Sequence, residues 1–247
     1  MKVTYIKHSS FLAETDRTVF LFDYYGGKLP ALPGDKPAVI FSSHAHGDHF
    51  SPVIFDLWPE KRDVLYVLSS DIPASGYRGN RQIIRMGPGE KRTIPLPGRE
   101  TDSSGICVET FRSTDEGVAF YLRADGQEIY HAGDLNDWNW PVEVPADVEE
   151  NAQMGRLYRA ELRKMEGREP DAAFVPLDPR LREGMPLGIL EYMEYCRPKA
   201  VFPMHFWKKY EVIGEFKKDS RTAAFRDRVM DIREEGQSFD LTGEEPS

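Results

Sequence analysis

Ser43-His44-Ala45-His46-Gly47-Asp48-His49 follows directly on the apolar run Ala38-Val39-Ile40-Phe41-Ser42. Three of the chain's six histidines and one aspartate crowd into six residues there. Imidazoles and a carboxylate packed together have little value as core and need partners. A transition metal suits them, because imidazole nitrogen and carboxylate oxygen are both good Zn²⁺ ligands. The other histidines, His8, His131 and His205, each stand at or near the end of a strand-like run. His44, His46, Asp48 and His49 are therefore candidate metal ligands, and the cluster marks the place where other strand ends should converge.

Four apolar runs end in potential ligands. Ala38–Ser42 leads into the cluster, Gln127–Tyr130 into His131-Ala132-Gly133-Asp134, Ala172–Pro176 into Leu177-Asp178, and Ala200–Met204 into His205. Strand ends gather on one edge of a sheet, so residues remote in sequence can meet in one cleft. Val3–Lys7, Ser10–Glu14, Thr18–Asp23, Val64–Ser69, Ile106–Phe111 and Gly117–Arg123 also read as strands. Ala124-Asp125-Gly126 reads as a hairpin turn, and turns with edge strands are expected over Gly87–Gly98. A loop is expected over Pro30–Pro37. Helices are predicted from Ser51-Pro52, over Asp147–Glu166 and Leu187–Cys196, and over Thr222–Ile232. Gly243–Ser247 reads as a frayed end. Two β-rich halves, each followed by helices, imply sheet packed on sheet with helices outside. Nothing divides the chain, so a single domain over residues 1–247 is expected.

Composition narrows the function. With 32 basic against 41 acidic residues the formal charge is −9, which disfavours a nucleic-acid binder. No run approaches the ~20 apolar residues that span a bilayer, and the N-terminus lacks a signal-peptide core. Cys107 and Cys196 lack metal-type spacing and read as small core residues. A cytoplasmic protein with a small-molecule substrate, no nucleic-acid or membrane partner and room for homo-oligomers is the expectation.

His-x-His-x-Asp-His at 44–49, Gly133-Asp134 after a strand and the late His205 together resemble the metallo-β-lactamase superfamily. Asp23, closing the strand before the cluster, matches that family's early structural aspartate. Lys7-His8-Ser9-Ser10-Phe11 and Tyr130-His131-Ala132-Gly133-Asp134 resemble its ascorbate-phosphate-lactonase-like branch. The resemblance implies an α/β fold, a four-layer αββα sandwich, with two divalent metal ions at the loop ends. His44 and His46 would bind the first ion, Asp48, His49 and His205 the second, and Asp134 would bridge them. Such a pair, roughly 3.5–4 Å apart, can hold a hydroxide and clamp a hydrolytic transition state.

The chain departs from the family in one respect. No histidine lies between His49 and His131 to supply the usual third imidazole of the first ion. Asp115, in Ser113-Thr114-Asp115-Glu116, is the candidate replacement, and the harder site it would make suits Mn²⁺ or Fe²⁺ beside Zn²⁺. Asp48 could also orient the attacking hydroxide, and His131 is a candidate acid for the leaving group. His8 and Asp178 are candidates for contacts behind the ligands or toward substrate, with structural roles as the alternative. Packing is the reading for most of Trp138, Trp140, Phe206, Trp207 and Tyr210, while Trp138 or Trp140, close to Asp134, could wall a pocket. The expected activity is hydrolysis of a small ester or lactone. A phosphodiesterase and a catalytically silent metal-binding scaffold are the alternatives.

Overall fold

The computed structural model describes residues 1–241 except 32, 33, 35, 59–62, 74, 75, 77–81 and 97–104. The first sheet contains β1 (Lys2–Lys7), β2 (Ser10–Glu14), β3 (Val19–Phe22), β4 (Ala38–Ser42), β5 (Val64–Ser69) and β6 (Gln82–Met86). The second contains β7 (Lys91–Ile94), β8 (Ile106–Arg112), β9 (Val118–Ala124), β10 (Gln127–His131), β11 (Ala172–Pro176) and β12 (Ala200–Met204). A short C-terminal strand, β13 (Ser238–Asp240), adds to the free edge of β1. The spatial orders are β13-β1-β2-β3-β4-β5-β6 and β12-β11-β10-β9-β8-β7.

β3, β4 and β5 are buried at every position and pair in parallel, β3 with β4 and β4 with β5. Strands covered on both faces read as continuous apolar runs, which is why VFLF, AVIFS and VLYVLS lack a polar alternation. Between the sheets aromatic rings interlock: Phe41 lies 5.1 Å from Phe120, and Phe11 lies 4.4 Å from Phe174, centroid to centroid. The single-turn 3₁₀ segment Pro52–Asp56 brings Ile54 and Phe55 onto the outer face of the first sheet. On the second sheet, α1 (Pro145–Arg163) and α2 (Leu187–Tyr195) cover the outside, with Tyr130 stacked on Tyr192 at 5.0 Å. These layers are the αββα sandwich.

One predicted helix moves. Residues 222–232 form short 3₁₀ turns and an extended segment, and the last helix is α3, Glu211–Lys218. Phe225, Val229 and Ile232 have helical spacing but are buried another way, since Val229 bridges Val201 of β12 and Met230 N donates to Val201 O at 2.8 Å. Sheet-edge pairing outweighs helix periodicity there. β6 and β13 were not expected. The expected loop over Pro30–Pro37 and the turns over Gly87–Gly98 fall partly, and Gly243–Ser247 wholly, outside the described residues. Among the described residues no helix is long and apolar enough to cross a membrane.

Candidate metal centre

β1, β3 and β4 run in one direction, and so do β10, β11 and β12, so six carboxyl ends meet at one edge of the sandwich. The chain leaves several of these strands in strained form. His8, Asp23, His205, Trp207 and Lys208 have φ of 53°, 45°, 65°, 50° and 61°. Non-glycine residues rarely adopt this left-handed region, and such strain gathers where function demands a particular side-chain direction.

Asp23 organises the first loop. Its Oδ1 accepts from Ser43 N at 2.7 Å, and its Oδ2 accepts from Ser43 Oγ and from His49 Nδ1, each at 2.7 Å. A proton fixed on His49 Nδ1 leaves Nε2 as the atom turned toward the cleft. Asp178 does the same for His205, whose Nδ1 donates to Asp178 Oδ2 at 2.8 Å. Carboxylates behind imidazoles set the tautomer and ring orientation that metal ligation needs.

The forward atoms converge. His49 Nε2 lies 3.2 Å and His205 Nε2 3.5 Å from Asp134 Oδ1, while His44 Nε2 lies 3.6 Å from Asp134 Oδ2. Two donor groups result: His8, Asp48, His49 and His205 in one, His44, His46 and Asp134 in the other, the donor atoms of each within 4.8 Å of one another. Asp134 sits between them. His8 Nε2, His49 Nε2 and Asp134 Oδ1 are buried and have no hydrogen-bond partner. Unpaired buried polar atoms are costly, and a divalent cation would satisfy all three. The residues fit a metal.

Electrostatics agree. Burial, then the neighbouring His49, pulls His44 down to about 4, and burial likewise lowers His8, so both stay neutral as ligands must. Burial works against charge on His49, but Asp134 and then Asp23 outweigh it and raise it to about 9. Asp48 is held below the usual carboxylate range, first by the adjacent His8 imidazole, whose Nε2 lies 3.4 Å from Asp48 Oδ2. This much negative potential focused on one point is the field a cation would meet.

Three expectations need adjustment. His8, expected behind the ligands or toward substrate, stands in the donor group itself, 3.4 Å from Asp48 Oδ2. Asp115 is near but not converged: its Oδ2 is 3.9 Å from His46 Nδ1, its side chain is half exposed, and it lies outside both donor groups. His131 is not brought to the cleft at all. Its Nε2 donates to Ser9 O at 2.9 Å, its Nδ1 accepts from Gly133 N at 3.1 Å, and its ring stacks on Phe22 at 5.1 Å. With both nitrogens engaged inside the sandwich, it ties β10 to the β1–β2 turn and has no proton to offer a leaving group.

A cleft of about 330 Å³ opens over the donors. Trp138 and Trp140 line it, Trp138 Nε1 donating to Asp134 O at 2.9 Å. Trp207 joins them, half exposed rather than packed away. Thr114 and Arg180 also line it and were missed. Arg180 follows Asp178 by two residues, so the strand-end rule that found Asp178 could have reached it.

A family model described as a Beta-lactamase superfamily domain matches residues 2–140. The chain belongs to the metallo-β-lactamase superfamily. It is 30% identical over 220 residues to a UPF0173 metal-dependent hydrolase of Opitutus terrae, covering 83% of this chain and 85% of that protein. A UPF0173 metal-dependent hydrolase of Methanosarcina barkeri is 26% identical over 98% of this chain and 99% of its own length. Among solved structures, Igni18, a metallo hydrolase of the archaeon Ignicoccus hospitalis, shares the fold with a TM-score of 0.62 at 20% identity, covering 97% of this chain and 98% of that one. With the donor set above, superfamily membership makes this chain a metal-dependent hydrolase in the broad sense.

Proposed function

We propose that this metallo-β-lactamase superfamily member hydrolyses a small ester or lactone with two divalent metal ions, zinc the first candidate, activating water between them. The observation that carries the reading is that His8 Nε2, His49 Nε2 and Asp134 Oδ1 are buried and unpaired beside an open cleft that Asp134, Asp48 and His205 line. The buried group of His8, Asp48, His49 and His205 would hold one ion and His44 with His46 the other, Asp134 serving both and Asp115 completing the more open one. Bound divalent ions lower the pKa of water and polarise the scissile carbonyl.

The chain's own contribution is positioning. Asp23 and Asp178 hold His49 and His205 with their Nε2 atoms forward. Asp48, ionised and at the cleft wall, can accept a hydrogen bond from the attacking water and orient it. Trp138 and Trp140 exclude bulk solvent on one side, and their near-parallel rings, with centroids 6.0 Å apart, favour a flat substrate body. Resemblance of the His8 and His131 segments to the lactonase-like branch supports a cyclic ester over a phosphodiester, and the formal charge of −9 speaks against long nucleic acids. We place the protein in the cytoplasm with a small-molecule substrate.

The test is metal analysis of protein purified without added metal or chelator, followed by an ester, lactone and phosphodiester panel. Two ions per chain, with turnover lost in His46→Ala, is the expected result. Full metal occupancy with no turnover on any class would favour the silent scaffold.

A further inference from the structure

Four of the seven large apolar side chains exposed among the described residues fall within nine residues of chain: Trp140, Val142, Val144 and Val148, each between 41% and 57% exposed. Single exposed apolar residues are ordinary, whereas a contiguous group marks a contact surface. The ridge they form is fixed before anything touches it. Asn151 of α1 grips the Trp140 backbone, Oδ1 accepting from its N at 3.1 Å and Nδ2 donating to its O at 2.7 Å. Asp147 Oδ2 accepts from Glu143 N at 2.7 Å and from Val144 N at 2.9 Å. Val148 follows Val144 by one helical turn and extends the same flank. A rigid apolar surface loses little freedom on association.

Trp140 also borders a hollow of about 610 Å³ that Trp138, Pro141 and Met154 line with it. The hollow carries charges of both signs on different elements. Glu143 and Glu150 come from the approach to α1 and its first turns, and Arg182 comes from the Pro179–Gly184 segment. All three are exposed, and none makes an ion pair among the described residues. Arg182 is held there in strained form. Its φ of 53° and ψ of −111° suit glycine, and Gly184, two residues on, lies so close to the wall loop that a Cβ there would come within 2.2 Å of Asn139 O. Strain of this kind persists where the surroundings fix a side-chain direction.

A small molecule in the hollow would leave the valine ridge bare. A lipid surface would meet the exposed Glu143, Glu149 and Glu150, whose charge opposes anionic headgroups. A second copy of this chain answers both features, because ridge, hollow, acids and arginine lie on one patch and a twofold interface joins a patch to itself. We propose that two copies associate about a twofold axis over this patch. The ridge of Val142, Val144 and Val148 on each copy enters the hollow of the other, and Arg182 of each meets the partner's Glu143 and Glu150. Opposite charges so placed set the register and disfavour other partners. The hollow shares Trp138, Trp140, Met154 and Arg180 with the metal cleft, so the partner closes the cleft's outer end. The association rests on this surface alone and stands whichever bond the enzyme cleaves.

Sedimentation velocity on the protein as purified tests this, with circular dichroism and thermal melting to confirm that each variant folds. The wild type should sediment as a dimer at micromolar concentration. Val148→Asp places an unpaired charge in the interface and should weaken dimerisation by about a hundredfold or more, giving a monomer. Leu157→Asp is the control. Leu157 is 48% exposed, but it stands nine residues beyond Val148 on the opposite side of α1, so its change should leave the dimer intact. Arg182→Glu should also dissociate the dimer through like charges. Adding Glu143→Arg and Glu150→Arg to that variant should restore association, because reversing both signs rebuilds every pair across a twofold axis. A wild type that stays monomeric at its highest soluble concentration would overturn the proposal. So would equal effects of Val148→Asp and Leu157→Asp, or a folded charge-reversed variant that remains monomeric.

Discussion

Asp178 accepts a hydrogen bond from His205 Nδ1 at 2.8 Å while remaining fully buried behind the metal cleft. Trp207 Nε1, at 3.2 Å, and Arg180 share the same carboxylate, so one side chain steadies a ligand, a wall and the cationic group at the cleft's outer side. His205 itself has a left-handed backbone, and a strained residue holds its direction only when its surroundings fix it. Asp178→Asn keeps the shape but can present an amide to His205 in place of an acceptor. Metal affinity should drop by about 10- to 100-fold, the usual cost of removing a carboxylate behind a ligand histidine. Chelator competition with the purified protein measures it. An unchanged affinity would mean that Asp178 serves only the turn at Asp178-Pro179.

Much of this was readable from sequence, for identifiable reasons. The apolar runs of β3, β4 and β5 announce buried strands, and the 44–49 cluster announces a loop of candidate metal donors. His8 and His131 show where such reading stops. Both are histidines at strand ends in similar local sequence, yet His8 faces the donors and His131 faces inward. The difference lies at Gly133, whose φ of +52° turns the chain so that Asp134, three residues after a spent His131, enters the site. Periodicity carries no information about that turn. It misled at Phe225, Val229 and Ile232, where helical spacing coincides with burial against the edge of β12.

Asp23 supplies a pH signature. Burial alone would raise its pKa, but His131 and then His49 pull it down to about 2. An aspartate of an unfolded chain titrates near ~3.9. A depressed folded value stabilises the native state fully above that pH, and the contribution disappears as pH falls toward about 2, a difference worth about 2 kcal/mol. In metal-free protein, Asp23→Asn should therefore melt well below the wild type at pH 7. The gap should narrow between pH 4 and pH 3. A gap that stays constant down to pH 3 would assign the loss to packing rather than charge.

His8 and Asp115 should separate the two metal positions. His8 belongs to the buried four-donor group, whereas Asp115 lies 3.9 Å from His46 beside the more open group. His8→Ala should cost the ion held with His49 and His205. Asp115→Ala should cost the ion held with His44 and His46 and leave the first in place. Metal analysis by mass spectrometry after dialysis reads both. If Asp115→Ala keeps the full complement, Asp115 is not a ligand and the open group works with three donors.

At Gly117 the start of β9 meets the loop that carries the histidine cluster. Val118 N donates to Ser43 O at 2.9 Å, and a Cβ on Gly117 would come within 2.0 Å of Ser43 O and 2.6 Å of His44 Cβ. Gly126, in the β9–β10 hairpin, has a similar backbone, with φ of +75° against +69°, but open space around it. Alanine at either position pays the left-handed penalty of about 1–2 kcal/mol. Only at Gly117 must backbone move as well, adding about 1–3 kcal/mol of overpacking and displacing His44. Thermal melting should thus rank Gly117→Ala below Gly126→Ala, and only Gly117→Ala should lose metal from the group of His44 and His46. Equal melting shifts with equal metal content would mean that the Ser43–His44 segment yields without cost, and that this close approach does not position the ligands.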